Sequence, residues 1–101
     1  MHLIPVPDAD GYLEQLRVPD LSVGVYRIPV GGVDPQSPHS EDEIYVVLSG
    51  RATFTGDDTR SVEVGPGSVI FVPAGEGHRF SDIVDELVTV VVFGPAEGSR
   101  A

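Results

Sequence analysis

The sequence predicts an all-β fold, either a sandwich or a barrel, and two observations carry this prediction. Twelve glycines and nine prolines divide the 101 residues into short segments. The segments between them are rich in Val, Ile, Phe, Tyr and Thr, which suit the pleated, half-buried surface of a sheet. Short strands that recur at roughly ten-residue spacing are typical of sandwiches and barrels. The length allows one domain with one core.

Individual strands follow from apolar runs that end at turn residues such as Gly31-Gly32, Ser49-Gly50 and Gly65-Pro66-Gly67. We expect strands near residues 21–28, 43–48, 52–55, 61–64, 69–72, 78–81 and 87–93.

The N-terminal part is the one place where the pattern favours a helix. Asp10 can cap a turn or two that runs through Leu16 and ends before Pro19. The prediction is therefore a single domain with at most one short helix. We expect an N-terminal arm over about 1–20, a barrel over about 21–94 and a flexible tail over 95–101.

Composition excludes several classes of function. Sixteen acidic residues stand against six arginines and no lysine, which gives a net charge of −10. Such a charge repels phosphate backbones and anionic lipid headgroups, so we expect neither nucleic acid nor membrane as a partner. The absence of cysteine removes disulfides, thiolate nucleophiles and iron–sulfur clusters. No signal-peptide pattern begins the chain, and the longest apolar run is far below the ~18 residues of a membrane span. We therefore expect a cytoplasmic protein.

Two stretches carry the residues that can do chemistry. In the first, His39, Glu41, Glu43 and Tyr45 alternate along a predicted strand and would share one face. One imidazole and two carboxylates in such a row are costly to bury unless they are paired or bound to a cation. In the second, His78 opens a strand directly after a tight turn. His78 would complete a metal site only if it met His39 and Glu43 across a barrel.

The first stretch resembles the first motif of the cupin superfamily, G-x5-H-x-H-x3,4-E-x6-G. Here His39, Glu43 and Gly50 match the second histidine, the glutamate and the final glycine of the motif. Ser37 stands in the place of the first histidine.

The second stretch resembles the second cupin motif, G-x5-P-x-G-x2-H-x3-N, and is the more specific of the two. Gly67, Pro73, Gly75 and His78 agree with it at the stated spacings, and Asp82 replaces the final asparagine. The resemblance runs over about residues 32–82, half of the chain, and its short spacing looks like that of compact single-domain microbial members.

Membership of this superfamily would imply an antiparallel jelly-roll β-barrel that holds a divalent transition metal, such as Fe, Mn, Zn or Ni. Carried over residue by residue, the resemblance makes His39, Glu43 and His78 the metal ligands. Two histidines and one carboxylate leave open coordination positions on non-haem iron. The obvious replacement ligand or proton-transfer group is Glu41, with Tyr45 as a second candidate. The family commonly forms homodimers, and a homodimer is expected here.

Three functions stay open at this level. The first is a metal-dependent enzyme, of the dioxygenase or the isomerase and decarboxylase type, that acts on a small oxygen-bearing metabolite. The second is a non-catalytic barrel that binds a small molecule with little or no metal, since Ser37 replaces a histidine. The third is an accessory protein that acts through its dimer surface. A shared fold does not choose between them.

Overall fold

The computed structural model describes residues 1–35, 38–58 and 60–100, so Ser37 lies outside the described residues. The described chain contains six strands and no helix, which confirms the all-β prediction. These are β1 (Gly11–Val18), β2 (Leu21–Ile28), β3 (Asp42–Gly56), β4 (Ser61–Val64), β5 (Val69–Val72) and β6 (His78–Gly94). Among the described residues, no helix is long and apolar enough to span a membrane.

All strand pairs are antiparallel, and the two longest strands form the centre of the sheet. The order is β1-β2-β6-β3-β4, with β5 also paired to β3. Strand β3 pairs with β6 along most of the length of β3. On the other side of β3, strand β5 pairs with its first half and β4 pairs with its second half. The two halves of β3 and β6 therefore belong to different parts of one continuous, curved sheet.

Each of the two long strands was predicted as two shorter ones, and the structure corrects this. Residues 43–48 and 52–55 lie in β3, and residues 78–81 and 87–93 lie in β6. Register shifts interrupt the β3–β6 ladder between Val47 and Thr53. Gly50 and Asp82 have positive φ angles, of 90° and 50°. Such irregularities bend a strand without ending it, so turn residues at these points do not separate two strands.

The helix suggested for residues 10–16 is wrong, because this part of the chain forms β1. Strand β1 makes a hairpin with β2, in which Tyr12 pairs with Tyr26 and Val18 with Leu21. The sheet thus begins at Gly11, inside the predicted N-terminal arm. A short helix has little stability of its own, whereas the free edge of β2 offers a full ladder of hydrogen bonds.

The core lies between the halves of the folded sheet and is rich in aromatic rings. Tyr45, Phe54 and Phe80 meet edge to face, with ring centroids 4.9 to 5.9 Å apart. Edge-to-face contacts of this kind add to the stabilisation that burial provides. The same rings pack directly beneath the candidate site, since Tyr45 and Phe54 both contact the imidazole of His78.

Gly50 provides a test of the bend in β3. A Cβ atom there would run into the backbone of Glu86, in addition to the strain of a positive φ. We expect Gly50→Ala to lower the free energy of unfolding by about 1–3 kcal/mol, measured by urea denaturation. Gly67 is the matched control, because it has a φ of 88° and nothing within 4 Å of an added Cβ. Equal losses for Gly50→Ala and Gly67→Ala would contradict the steric argument.

Candidate metal centre

Three elements bring the candidate ligands together. His39 lies just before β3, Glu43 lies in the first half of β3, and His78 is the first residue of β6. The turn that precedes His78 is attached to the first stretch, because the amide N of Gly75 donates a 2.7 Å hydrogen bond to the carbonyl O of His39. The positive φ of 83° at Gly75 fits that turn to glycine.

The potential ligand atoms of His39, Glu43 and His78 all lie within 4.8 Å of one another. Nε2 of His78 is 3.0 Å from Oε1 of Glu43. The side chains of Glu43 and His78 are almost fully buried, and His39 is partly exposed. The convergence that the sequence required for a metal site is therefore present in the fold.

The chemistry of the donor atoms fits a cation. Nδ1 of His78 lies 3.0 Å from the carbonyl O of Glu76, which can only accept, so Nδ1 carries the hydrogen. In the neutral imidazole, Nε2 then presents a lone pair to the carboxylate of Glu43. Oε1 of Glu43 is buried, and while His78 is neutral with its hydrogen on Nδ1, no N–H of that ring points to Oε1. Two acceptors 3.0 Å apart in a buried site need a proton or a metal ion between them.

Without a metal, a proton would lie between Nε2 of His78 and Oε1 of Glu43. Burial lowers the pKa of His78, but the hydrogen bond and negative charge of Glu43, together with the Glu76 carbonyl, more than offset it and raise the pKa above its usual value. A divalent cation is held by the same neutral imidazole and carboxylate atoms, and its binding would displace the proton.

Tyr45, which the sequence suggested as a proton-transfer group, lies beside the candidate cluster. Its hydroxyl is 3.0 Å from Nε2 of His78, and the residue is fully buried. Burial raises the pKa of Tyr45, and the negative charge of Glu43 raises it further. The phenol is therefore protonated at neutral pH and acts as a hydrogen-bond donor.

Glu41 is not part of this cluster, although the sequence suggested it as a ligand or catalytic group. Its Oε1 accepts a hydrogen bond from the amide of Gly98, and its Oε2 accepts from Ser40 and from the amide of Arg100. Burial raises the pKa of Glu41, but these hydrogen bonds outweigh it and hold the pKa below its usual value. Strand alternation correctly places Glu41 on the buried side with Glu43 and Tyr45. Strand alternation does not reveal that the Glu41 carboxylate binds the amides of Gly98 and Arg100.

A cavity of about 470 Å³ opens beside the cluster. His39, Glu43 and Tyr45 line it, so the candidate centre faces a space that can hold a small molecule. The remaining polar wall comes from residues that the sequence analysis did not assign to the site. They are Tyr12, Tyr26, Arg27, Asp34 and Glu97.

Asp34 connects this wall to the core. Its Oδ1 accepts a 2.5 Å hydrogen bond from the hydroxyl of Tyr26, and its Oδ2 accepts a 2.8 Å bond from the amide of Phe80. Burial and the Asp34 carboxylate both raise the pKa of Tyr26. No spacing motif marks Asp34. Its one sequence signal is an acidic residue between apolar and proline residues, and that signal is not specific.

The family model described as the cupin domain matches residues 24–94. The chain belongs to the cupin family. This confirms the resemblance that rested on the two motifs, and it places both candidate stretches inside the matched region.

Three relatives show how far the likeness extends. An uncharacterized protein of Streptomyces coelicolor is 47% identical over 87 residues, which cover 85% of this chain and 81% of that protein. The dimethylsulfoniopropionate lyase DddQ of Ruegeria pomeroyi is 34% identical over 58 residues, 57% of this chain and 29% of the lyase. This cupin superposes on the crystal structure of that lyase with a TM-score of 0.72 and 27% identity, over 76% of this chain and 39% of the lyase chain. The cupin thus spans well under half of the lyase.

A third likeness concerns the fold alone. An RmlC-like cupin of Methanocaldococcus jannaschii, with a double-stranded β-helix fold, superposes with a TM-score of 0.79 at 18% identity, over 94% of this chain and 91% of that chain. The barrel of this cupin is therefore the double-stranded β-helix, or jelly-roll, that the resemblance implied.

Proposed function

We propose that this cupin is a divalent-metal-dependent enzyme that acts on a small oxygen-bearing metabolite. The convergence of His39, Glu43 and His78 at the wall of a ligand-sized cavity carries the proposal. The metal would supply a Lewis acid that polarises an oxygen of the substrate. Its identity among Fe, Mn, Zn and Ni stays open.

The chain's own residues have defined parts in this proposal. His39, Glu43 and His78 hold the cation, and the cavity beside them receives the substrate. Tyr45, which is protonated and 3.0 Å from Nε2 of His78, donates a hydrogen bond or a proton to an oxygen of the bound substrate. We assign no proton transfer to Glu41, because three hydrogen-bond donors already occupy its carboxylate.

Likeness to a lyase favours an elimination or isomerisation over a dioxygenase reaction. In an elimination, a carboxylate that lines the cavity takes the proton from a C–H bond, the electron pair of that bond forms a double bond, and the leaving group departs with its own electron pair. Such a reaction needs no oxidant. Because the cupin spans only part of the lyase, dimethylsulfoniopropionate is a test substrate here and not an assigned one.

Metal content tests whether the chain binds a divalent metal ion. We expect the full chain, loaded in turn with Fe(II), Mn(II), Zn(II) and Ni(II), to retain about one ion per chain of at least one metal after gel filtration, measured by elemental analysis. Less than about a tenth of an equivalent of all four metals would contradict the proposal. That result would favour the non-catalytic binding module.

Tyr45→Phe tests whether the hydroxyl of Tyr45 takes part in the reaction. The substitution keeps the ring contacts with Phe54 and Phe80 and removes only the hydroxyl. We expect metal affinity within about threefold of wild type and turnover reduced by about 10²–10⁴. Turnover would be followed by NMR on dimethylsulfoniopropionate and on a panel of hydroxy acids and enolisable ketones. Undiminished turnover in Tyr45→Phe would exclude Tyr45 from the reaction.

A homodimer belongs to the same proposal. On the outer face of β3 and β5, Ile44 pairs with Phe71 and Val46 with Val69, and the side chains of Phe71 and Val69 are 59% and 67% exposed. A contiguous apolar face of this kind is typical of an interface. We propose that a second copy of the chain covers it. The cytoplasmic location, for which composition is the support, stays a prediction.

Sedimentation velocity tests the interface. We expect the wild type to sediment with twice the mass of one chain and Phe71→Asp to sediment as a monomer, because a buried carboxylate would face apolar residues. Val30→Asp is the matched control, since Val30 is 64% exposed in the turn after β2. A monomeric wild type, or a dimer that Phe71→Asp leaves intact, would contradict this interface.

A further inference from the structure

Residues 95–100, which we call the C-terminal segment, are folded back against the barrel. The sequence suggested a flexible tail here. Instead, Ala96 is 2% exposed, and the amides of Gly98 and Arg100 donate hydrogen bonds of 2.9 and 3.0 Å to the two carboxylate oxygens of Glu41. Glu41 is itself 2% exposed. A buried carboxylate that accepts main-chain hydrogen bonds holds a segment firmly, because breaking them would leave a buried charge without partners.

The β1–β2 hairpin also holds the C-terminal segment, through the backbone of Glu97. Its amide donates a 2.9 Å hydrogen bond to Oγ of Ser22, and its carbonyl O accepts a 2.6 Å bond from the guanidinium of Arg17. Both partners come from the β1–β2 hairpin. The main chain at Glu97 is therefore fixed between β1, β2 and the start of β3, and its side chain has a defined direction.

The side chain of Glu97 points into the candidate metal centre. The side chain of Glu97 lines the cavity, and its Oε2 lies 3.5 Å from Nδ1 of His39. This distance is within ion-pair range and is longer than a good hydrogen bond. A histidine that binds a metal through one nitrogen commonly donates the other N–H to a carboxylate or carbonyl, which fixes its tautomer and orientation.

We infer that Glu97 is a positioning residue for His39, and that Glu41 holds the C-terminal segment so that Glu97 can perform this role. The inference rests on the proposed function for its metal. With the hydrogen of His39 on Nδ1, toward Glu97, the lone pair of Nε2 is available to the cation. His78 has the same arrangement, because its Nδ1 faces the carbonyl of Glu76. Glu41, which the sequence placed among the catalytic groups, thus acts on the site through the C-terminal segment.

The zinc affinities of four single variants and one double variant test the inference, measured by competition with a chromogenic chelator. We expect Glu97→Ala to weaken binding by about 10–100-fold, because it removes the outer partner of a ligand. Glu97→Gln keeps a hydrogen-bond acceptor, so its loss should be clearly smaller. Glu41→Gln should weaken binding, and adding it to Glu97→Ala should weaken it no further, because both changes act through one contact. Glu63→Gln, an exposed residue of β4, is the control and should bind as wild type does.

A second measurement needs no metal. Long-range ¹H–¹⁵N spectra of the metal-free protein at pH 8 report which nitrogen of His39 carries the hydrogen. We expect Nδ1–H in the wild type and a shift toward Nε2–H in Glu97→Ala. A merely structural role of Glu97 would leave this tautomer unchanged. The side chain of Glu97 is 32% exposed, so its removal does not threaten the fold.

The outcomes separate the two proposals. Zinc binding by Glu97→Ala within threefold of the wild type, or an unchanged His39 tautomer, would overturn the positioning role and leave the metal site standing. Failure of the wild type to bind zinc or the other three metals would overturn the proposed function. The tautomer of His39 would then still decide whether Glu97 orients the ring.

Discussion

His78→Ala is expected to lower the affinity of this cupin for Zn(II) by at least about 100-fold, because it removes one of the three proposed ligands, and the described residues place no fourth His, Asp or Glu in the cluster to replace it. The scaffold should stay folded, since the apolar interior of the sheet and not the imidazole holds β3 and β6 together. Equilibrium competition with a chelator measures the affinity, and far-UV circular dichroism with a thermal melt checks the fold.

His2→Ala is the matched control for that experiment. His2 is exposed near the start of the chain and lies outside the candidate cluster, so its removal should leave zinc affinity unchanged. His39→Ala should resemble His78→Ala in its effect on affinity. Full zinc affinity in folded His78→Ala would show that the metal binds elsewhere, and the assignment of the centre would fail.

Leu87→Ala is expected to lower the free energy of unfolding by about 2–5 kcal/mol, which is a large part of the stability of a small domain. Leu87 is 0% exposed, lies in the core cluster and pairs across the sheet with Ile28. The truncation removes buried apolar surface and leaves a cavity in a well-packed interior. Urea denaturation, with the m-value held constant between variants, gives the difference.

The same substitution at Leu3 serves as its control. Leu3 is 93% exposed, so Leu3→Ala should change the free energy of unfolding by no more than about 0.5 kcal/mol. Losses of similar size at Leu87 and Leu3 would mean that the packing described for β6 does not determine stability.

Much of the site was predictable because its signals are local and chemically narrow. The spacing of His39 to Glu43 and of Gly75 to His78 depends on short turns and on strand alternation, which sequence reveals directly. The convergence of these stretches needed the family resemblance, since no local pattern shows that the turn at Gly75 binds the carbonyl of His39.

Contacts between distant parts of the chain account for the errors. Residues 11–18 have a pattern compatible with a short helix, but the open edge of β2 provides more hydrogen bonds than a helix of that length can. Glu41 has the composition of a catalytic or solvated acid. Its function depends on the amides of Gly98 and Arg100, more than fifty residues away along the chain.

The sequence by itself determined the all-β class, the segments from residue 21 onward that form β-structure, and the local spacing of the three candidate ligands, because alternation and turn chemistry act over a few residues. Only the tertiary structure decided that Glu41 binds the C-terminal segment, that Glu97 faces His39, and that Asp34 joins Tyr26 to the core. Each of these contacts joins residues that no repeat or spacing relates. They form because a buried carboxylate must find donors, and the fold alone determines which donors lie within reach.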